Sequence, residues 1–157
     1  MKKIGVLLIA GLVLVSCKQN VNRAGTDNPD QIITEISAPV RDGVFIHITE
    51  SYNDPHRVLM PLKMAVLMST DKDVIVYLDI HAVEMCVKGA KDMTYADFES
   101  FQTYIKQLSE KKIGVYACPT CLKIAGYSPE DLMEGIQVAQ KDKFFSFTEG
   151  RILTLDY

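Results

Sequence analysis

The chain has 157 residues, of which 17 are Lys or Arg and 20 are Asp or Glu, so its formal net charge is -3. An acidic chain with no stripe of interleaved basic and aromatic residues argues against nucleic acid as a partner. Hydrophobic residues make up 48% of the sequence, which is enough for one domain with a core of its own.

The first 16 residues predict an export signal. Lys2 and Lys3 form a positive start, and an apolar run from Ile4 to Val15 follows without a charge. As a helix this run would extend only about 18 Å, short of a bilayer core of about 30 Å. We therefore expect a cleaved signal peptide and not a permanent membrane span.

The segment Leu14-Val15-Ser16-Cys17 resembles the bacterial lipobox, in which the cysteine is lipid-modified and becomes the mature N-terminus. We expect a lipid anchor at Cys17 and a location in the bacterial cell envelope, on the periplasmic or extracytoplasmic side. Residues 17–41 are rich in polar residues and cannot bury much apolar surface, so they predict a tether. Residues 42–157 then form one domain.

In chain order, three apolar runs of the domain predict β-strands: Val44–Ile48, Val74–Leu78 and Ile113–Ala117. The second run is apolar at almost every position, which is typical of a parallel strand buried on both faces. Between the first two strands, Asp54 and Pro55 predict the start of a helix. Pro61 must either kink that helix or mark its true first turn.

A second helix is predicted after the second strand, because Thr94 and Asp97 resemble a capping box and apolar residues follow at helical spacing. A third helix is predicted to begin at Ser128-Pro129 and to end near Gly135. The last part of the domain predicts strands over 136–139 and 152–155 and a short helix or strand over 144–147. A hairpin about Glu149-Gly150 is the alternative.

Strands that alternate with helices predict a doubly wound, mostly parallel α/β sheet with helices on both faces. Ligands of such sheets bind at the carboxyl ends of the strands. That edge would collect polar and thiol groups from three loops: Thr49, Ser51 and Asn53, then Asp79, His81 and Cys86, then Cys118 and Cys121. In a flavodoxin-like strand order the first and third strands are neighbours, so Cys118 would face the 49–53 loop.

Cys118-Pro119-Thr120-Cys121 lies where the third strand gives way to a helical pattern. Pro119 fits the first helical position, so Cys118 is predicted to cap the helix beside unpaired backbone N–H groups. Such donors and the helix dipole lower a thiol pKa and populate the nucleophilic thiolate. We expect the chemistry at Cys118 and Cys121.

These residues resemble the DsrE/DsrF-like proteins of sulfur relay. The likeness includes the first strand with its loop, 44–53, and the second strand leading into His81-Ala82-Val83. It is strongest at 115–121 and in the helix start that follows at 126–132. The resemblance implies a flavodoxin-like fold with a five-stranded sheet and a cysteine, Cys118 or Cys121, that carries sulfur as a persulfide. It also implies a homo-oligomer, a trimer or a hexamer.

Four chemistries remain open for the thiols. Cys118 or Cys121 could carry a persulfide that the other thiol resolves, or the pair could cycle by thiol–disulfide exchange; both need a sulfur-donor or redox partner protein. Cys86, Cys118 and Cys121, with His81 as a further ligand, could bind Zn²⁺ or Cu(I). Lastly, Cys118 and Cys121 could form a structural disulfide in a binding or assembly module.

The histidines offer weaker signals. His47 lies inside the first strand and is expected to be a core or sheet-face residue, while Asp79 or Glu84 could orient a histidine. His56 in a first helical turn, beside Arg57, could bind an anion. Substrate binding is predicted for a set around the carboxyl edge: Thr49, Ser51, Asn53, His56 and His81.

Overall fold

Five parallel strands form the centre of the domain. The computed structural model describes residues 39–157, and its strands are β1 Gly43–Ile48, β2 Asp73–Leu78, β3 Gly114–Ala117, β4 Gln137–Val138 and β5 Ile152–Asp156. They pair in the order β4-β3-β2-β1-β5, and every pairing is parallel. The predicted doubly wound α/β fold, flavodoxin-like with five strands, is confirmed.

The predicted neighbourhood of the first and third strands is wrong, because β2 lies between β1 and β3. The other neighbour of β1 is β5, whose residues 152–156 run parallel to 43–47. The hairpin alternative for the end of the chain is therefore wrong as well. All three central strands are apolar runs of similar length, so their sequences specify burial and not which strand lies beside which.

One face of the sheet packs against two helices, α1 Pro55–Met68 and α2 Phe101–Glu110. Alternate strand residues point to this face and are buried with side chains from both helices. The core includes Val44, Ile46, Ile48, Val76, Leu78, Leu59, Leu62, Phe101, Ile105 and Leu108. Each such side chain stabilises the fold by about 1.5–3 kcal/mol relative to an exposed one.

Helix α1 begins where the sequence predicted. The Asp54 carboxylate accepts a hydrogen bond from the Arg57 backbone N–H at 3.2 Å, and Pro55 is the first helical residue. Pro61 lies inside the helix and is buried. It therefore does not mark the first turn. The helix lacks one backbone hydrogen bond there, because proline has no N–H.

Helix α2 begins later than predicted. Ser100 caps it, because its hydroxyl accepts from the Thr103 N–H at 3.2 Å. The predicted start at Thr94 is wrong: Ala96 has φ +46, and the Phe98 N–H bonds to the Tyr95 carbonyl in a turn. A residue in the left-handed region interrupts a right-handed helix. The helix therefore cannot begin at Thr94, although residues 94–97 resemble a capping box.

The opposite face of the sheet packs against a short helix, α4 Lys141–Phe145. Its Phe144 ring contacts Phe45 and Tyr77, at 5.2 and 4.9 Å between ring centroids and with edge-on geometry. Edge-on contact is a favoured arrangement of aromatic rings. Helices therefore lie on both faces, as predicted.

Two short helical segments connect the strands on the side of the thiols. A 3₁₀ helix spans Ile80–Met85 after β2, and helix α3 spans Pro119–Ile124 after β3. The third predicted helix is only one 3₁₀ turn, Pro129–Asp131, because Leu132 is extended with ψ 138. Its predicted cap is present, since the Asp131 carboxylate accepts from the Ser128 N–H at 2.7 Å.

No helix within residues 39–157 is long and apolar enough to cross a membrane. The predicted signal peptide, the lipidation site Cys17 and residues 17–38 of the predicted tether lie outside the described residues.

Candidate thiol site

The strand-to-helix turn holds Cys118 against the central strand. The Cys118 N–H bonds to the Leu78 carbonyl at 2.9 Å, so this residue continues the pairing of β3 with β2. Pro119 is the first residue of α3, and Cys118 occupies its cap position as predicted, with the Cys121 N–H 3.4 Å from Cys118 Sγ. Cys118 is 9% exposed and Cys121 is partly exposed; both are free thiols.

The neighbours of Cys118 favour its thiolate. Burial raises the pKa of Cys118, but hydrogen bonds from the Tyr77 hydroxyl, the Cys121 and Thr120 backbone N–H groups and the Cys121 thiol lower it further than burial raises it. Donors that point at a charged sulfur stabilise the charged form. The net result is a Cys118 pKa below that of an ordinary cysteine, which is about 8.5.

The second thiol shifts in the opposite direction. Burial raises the pKa of Cys121, and so does its hydrogen bond to Cys118, against the effect of a hydrogen bond from the Ile80 backbone N–H. When two thiols share one proton, ionisation of one disfavours ionisation of the other. The pair therefore divides into a thiol with a lowered pKa, Cys118, and one with a raised pKa, Cys121.

Tyr77 is a neighbour of Cys118 that the sequence analysis missed, and it lowers the pKa of that thiol. Burial raises its pKa, and its hydrogen bond to Cys118 raises it again, so the hydroxyl stays protonated and remains a donor. The only sequence signal was a tyrosine next to the last residue of a buried strand. A tyrosine in that position ordinarily packs, and it is the pairing of β2 with β3 that brings this residue near the thiol turn.

His47 supports Tyr77 from the neighbouring strand. The two residues are register partners in β1 and β2, and their rings stack with centroids 5.7 Å apart. His47 Nε2 lies 2.9 Å from Asp79 Oδ1, and Nδ1 lies 2.9 Å from Asp156 Oδ1. Each ring nitrogen faces one carboxylate oxygen, so the ring is held in one orientation. The sheet-face position predicted for His47 is confirmed, and Asp79 orients a histidine as anticipated.

The backbone beside Cys121 is strained. Ile80 has φ +49, and its N–H is the group that bonds to Cys121. The left-handed region is unfavourable for a β-branched residue and costs of order 1–3 kcal/mol. Strain of this kind is found where a site requires a particular backbone geometry, and here it occurs at a residue whose N–H lowers the pKa of Cys121.

An apolar cleft of about 330 Å³ lies next to Tyr77 and was not predicted. Phe45 and Phe144 form its walls, and His47, Asp79 and Lys141 add polar groups at its margin. The walls come from β1, β2 and α4, which are far apart in the sequence. Such a mostly apolar cleft with a few polar groups at its margin is typical of small-molecule sites.

The predicted substrate-binding residues do not form a single site. Ser51, Asn53 and His81 line a second, smaller cleft of about 200 Å³ around Glu84. The Ser51 hydroxyl donates to Glu84 at 3.3 Å, and His81 Nδ1 lies 3.7 Å from the same carboxyl group.

Thr49 and His56 lie apart from that cleft. The Thr49 hydroxyl donates to the Tyr157 carbonyl at 3.2 Å, and His56 packs against Tyr95 and Phe98 with centroids 5.7 and 5.5 Å away. The 49–53 loop therefore faces the 3₁₀ helix after β2 and not Cys118, because β2 separates β1 from β3.

Cys86 is in a different environment from the other two thiols. It is 0% exposed, its thiol donates to the Ala82 carbonyl at 3.3 Å, and burial raises its pKa. Within residues 39–157 no three His, Cys, Asp or Glu side chains form a group that could hold a metal ion. The Zn²⁺ or Cu(I) interpretation of Cys86, Cys118 and Cys121 stays a prediction from the sequence.

Comparison with known proteins identifies the family and the fold. A family model described as the DsrE/DsrF-like family matches residues 41–148. Among solved structures, the chain is similar to the YchN protein of E. coli, with a TM-score of 0.56 and 17% identity over 74% of this chain and 99% of that one. It is also similar to MTH1491, a protein of unknown function from Methanobacterium thermoautotrophicum, with a TM-score of 0.50 and 16% identity over 73% of this chain and 99% of that one. At these identities the likeness shows the fold. No curated protein sequence gives a match.

Proposed function

This chain belongs to the DsrE/DsrF-like family, and from that membership we propose that it carries sulfur as a persulfide on Cys118, with Cys121 as the resolving thiol. The family supports a sulfur-relay type of domain at a coarse level. The observation that supports the assignment to Cys118 is its cap position on α3, where the Cys121 N–H lies 3.4 Å from its sulfur, and the pKa of Cys118 is lowered in this environment.

Loading is a transfer of a sulfane sulfur. The Cys118 thiolate attacks the outer sulfur of an organic persulfide, R–S–SH. A new S–S bond forms at Cys118, and the S–S bond of the donor breaks. The donor leaves as the thiolate R–S⁻ with the bonding electron pair, and Cys118 becomes a persulfide. A lowered pKa favours this step because the thiolate is the attacking species.

Unloading has two routes. An acceptor thiolate can take the outer sulfur and return Cys118 to its thiolate. Alternatively, Cys121 attacks the Cys118 sulfur, a disulfide forms between the two residues, and the outer sulfur leaves as HS⁻. The second route needs a dithiol reductant to restore both thiols. The raised pKa of Cys121 keeps it protonated until the thiolate of Cys118 has been consumed.

The location of this activity is part of the proposal. A lipid anchor at Cys17 would place the domain in the bacterial envelope, where the sulfur donor and acceptor must also lie. Relatives in the DsrE family are oligomeric, and we propose a homo-oligomer here.

The test is the position of the added sulfur. The purified chain is treated with a sulfane donor, alkylated and analysed by peptide mass spectrometry. We expect one added sulfur atom on Cys118 and none on Cys86, which serves as the internal control because it is buried. A disulfide that forms with neither a sulfur adduct nor release of HS⁻ would favour thiol–disulfide exchange, and sulfur confined to Cys121 would contradict the assignment.

A further inference from the structure

The starts of the strands carry positive charge, whereas their ends carry the thiols and several carboxylates. In a parallel sheet all strand starts lie at one edge and all strand ends at the other. A basic residue lies one or two positions before four of the five strands: Arg41 before β1, Lys72 before β2, Lys112 before β3 and Arg151, which pairs with Asp42, before β5. The carboxyl edge carries Asp79 and Asp156 beside the thiol site.

Five cations line one concave surface of about 450 Å³: Arg41, Lys72, Lys111 and Lys112 near the strand starts, and Lys143 in α4. We name this surface the basic edge. Two of its cations are partly neutralised, because Arg41 lies 3.6 Å from Asp73 and Lys72 lies 2.5 Å from Asp71. The other three are exposed and form no ion pair with any residue between 39 and 157.

The chain also enters the domain at the basic edge. Residues 39–42 lead directly into Gly43, the first residue of β1, and Arg41 donates to the Ser69 carbonyl at 3.0 Å in the same region. Whatever precedes residue 39 therefore joins the domain beside this cluster of cations. A chain anchored at Cys17 would therefore enter the described domain at this edge.

We propose that the basic edge docks on an anionic phospholipid surface, which turns the thiol edge toward the aqueous side. The inference rests on the predicted anchor and is independent of the thiol chemistry. An anchor keeps the domain near the bilayer. The difference in charge between the basic edge and the thiol edge then determines which edge contacts the lipid surface. Each basic residue close to an anionic bilayer strengthens association about fivefold, and salt weakens the attraction.

The test is lysine labelling of the full chain in vesicles. Protein purified from membranes is reconstituted into phosphatidylglycerol-containing vesicles or into phosphatidylcholine vesicles, floated, and treated with a water-soluble acetylating reagent. We expect Lys111, Lys112 and Lys143 to be labelled at least about fivefold more slowly in the anionic vesicles, with the protection lost at high salt. Lys91 and Lys123, which are exposed elsewhere, are the control and should label equally in both.

Three results would overturn the proposal: equal labelling of all lysines in both kinds of vesicle, failure of the chain to float with anionic vesicles, or equal protection by free pyrophosphate without vesicles. The last would assign the basic edge to a soluble anion. A matched pair of variants provides a second measurement. Lys111→Gln with Lys112→Gln should abolish the protection of Lys143, while Lys91→Gln with Lys123→Gln should leave it unchanged.

Discussion

Replacing Cys118 with serine is expected to abolish sulfur loading. The variant Cys118→Ser should reduce the rate of sulfur transfer by at least about 100-fold, because a hydroxyl is not ionised near neutral pH and cannot form a persulfide. The substitution keeps the size of the side chain and its cap position on α3, so the fold should be retained. The measurement is the amount of sulfur bound per chain after exposure to an organic persulfide.

Cys121→Ser is the matched comparison. A serine hydroxyl can still donate to the Cys118 sulfur, so loading should continue, but no disulfide can form and the release of HS⁻ by that route should stop. Cys86→Ser should behave as wild type, because a hydroxyl at this position can still donate to the Ala82 carbonyl. Equal loading of Cys118→Ser and wild type would refute the proposed role of Cys118.

Truncation of Phe101 is expected to have the largest effect on stability. Its side chain is 1% exposed at the start of α2, and its N–H anchors the preceding loop through a 3.0 Å bond to the Met93 carbonyl. Phe101→Ala removes most of a buried ring and leaves a cavity, which costs about 3–5 kcal/mol of unfolding free energy. Urea unfolding measures the change, with the slope of the transition used to check that both proteins unfold alike.

Ile124→Ala is the control for that experiment. Ile124 is as apolar as a core residue, but it is 81% exposed in α3. Its truncation should change the unfolding free energy by less than about 0.5 kcal/mol. A loss of less than about 1 kcal/mol of unfolding free energy in Phe101→Ala is typical of residues outside the core. That result would show that the ring is not part of the core as described.

The strands could be predicted because each is a local pattern. The apolar runs at 44–48, 74–78 and 113–117 required no knowledge of the rest of the chain, and each lies in a strand or within one residue of one. The start of α2 could not be predicted in the same way. Thr94 and Ser100 both have the residue types of a cap, and the backbone conformation of the turn at 95–98 decided between them.

The thiol pair could be predicted, but the groups that tune it could not. Pro119 after Cys118 is a local signal, and it placed the cap correctly. Tyr77, His47 and Asp156 are distant in sequence from the thiols and are brought near them by strand pairing. Strand order was itself mispredicted, because apolar runs do not encode their neighbours. A site assembled by register across four strands therefore needs the structure.

The central claim is that Cys118 is the acidic thiol and that the Tyr77 hydroxyl contributes to its acidity. The most direct measurement is the pH dependence of alkylation at Cys118 in wild type and in Tyr77→Phe, followed by peptide mass spectrometry. We expect a wild-type midpoint below the ordinary cysteine value of about 8.5, and a higher midpoint in Tyr77→Phe because the thiolate loses a donor. A wild-type midpoint at or above the ordinary value, or one that Tyr77→Phe leaves unchanged, would contradict the account.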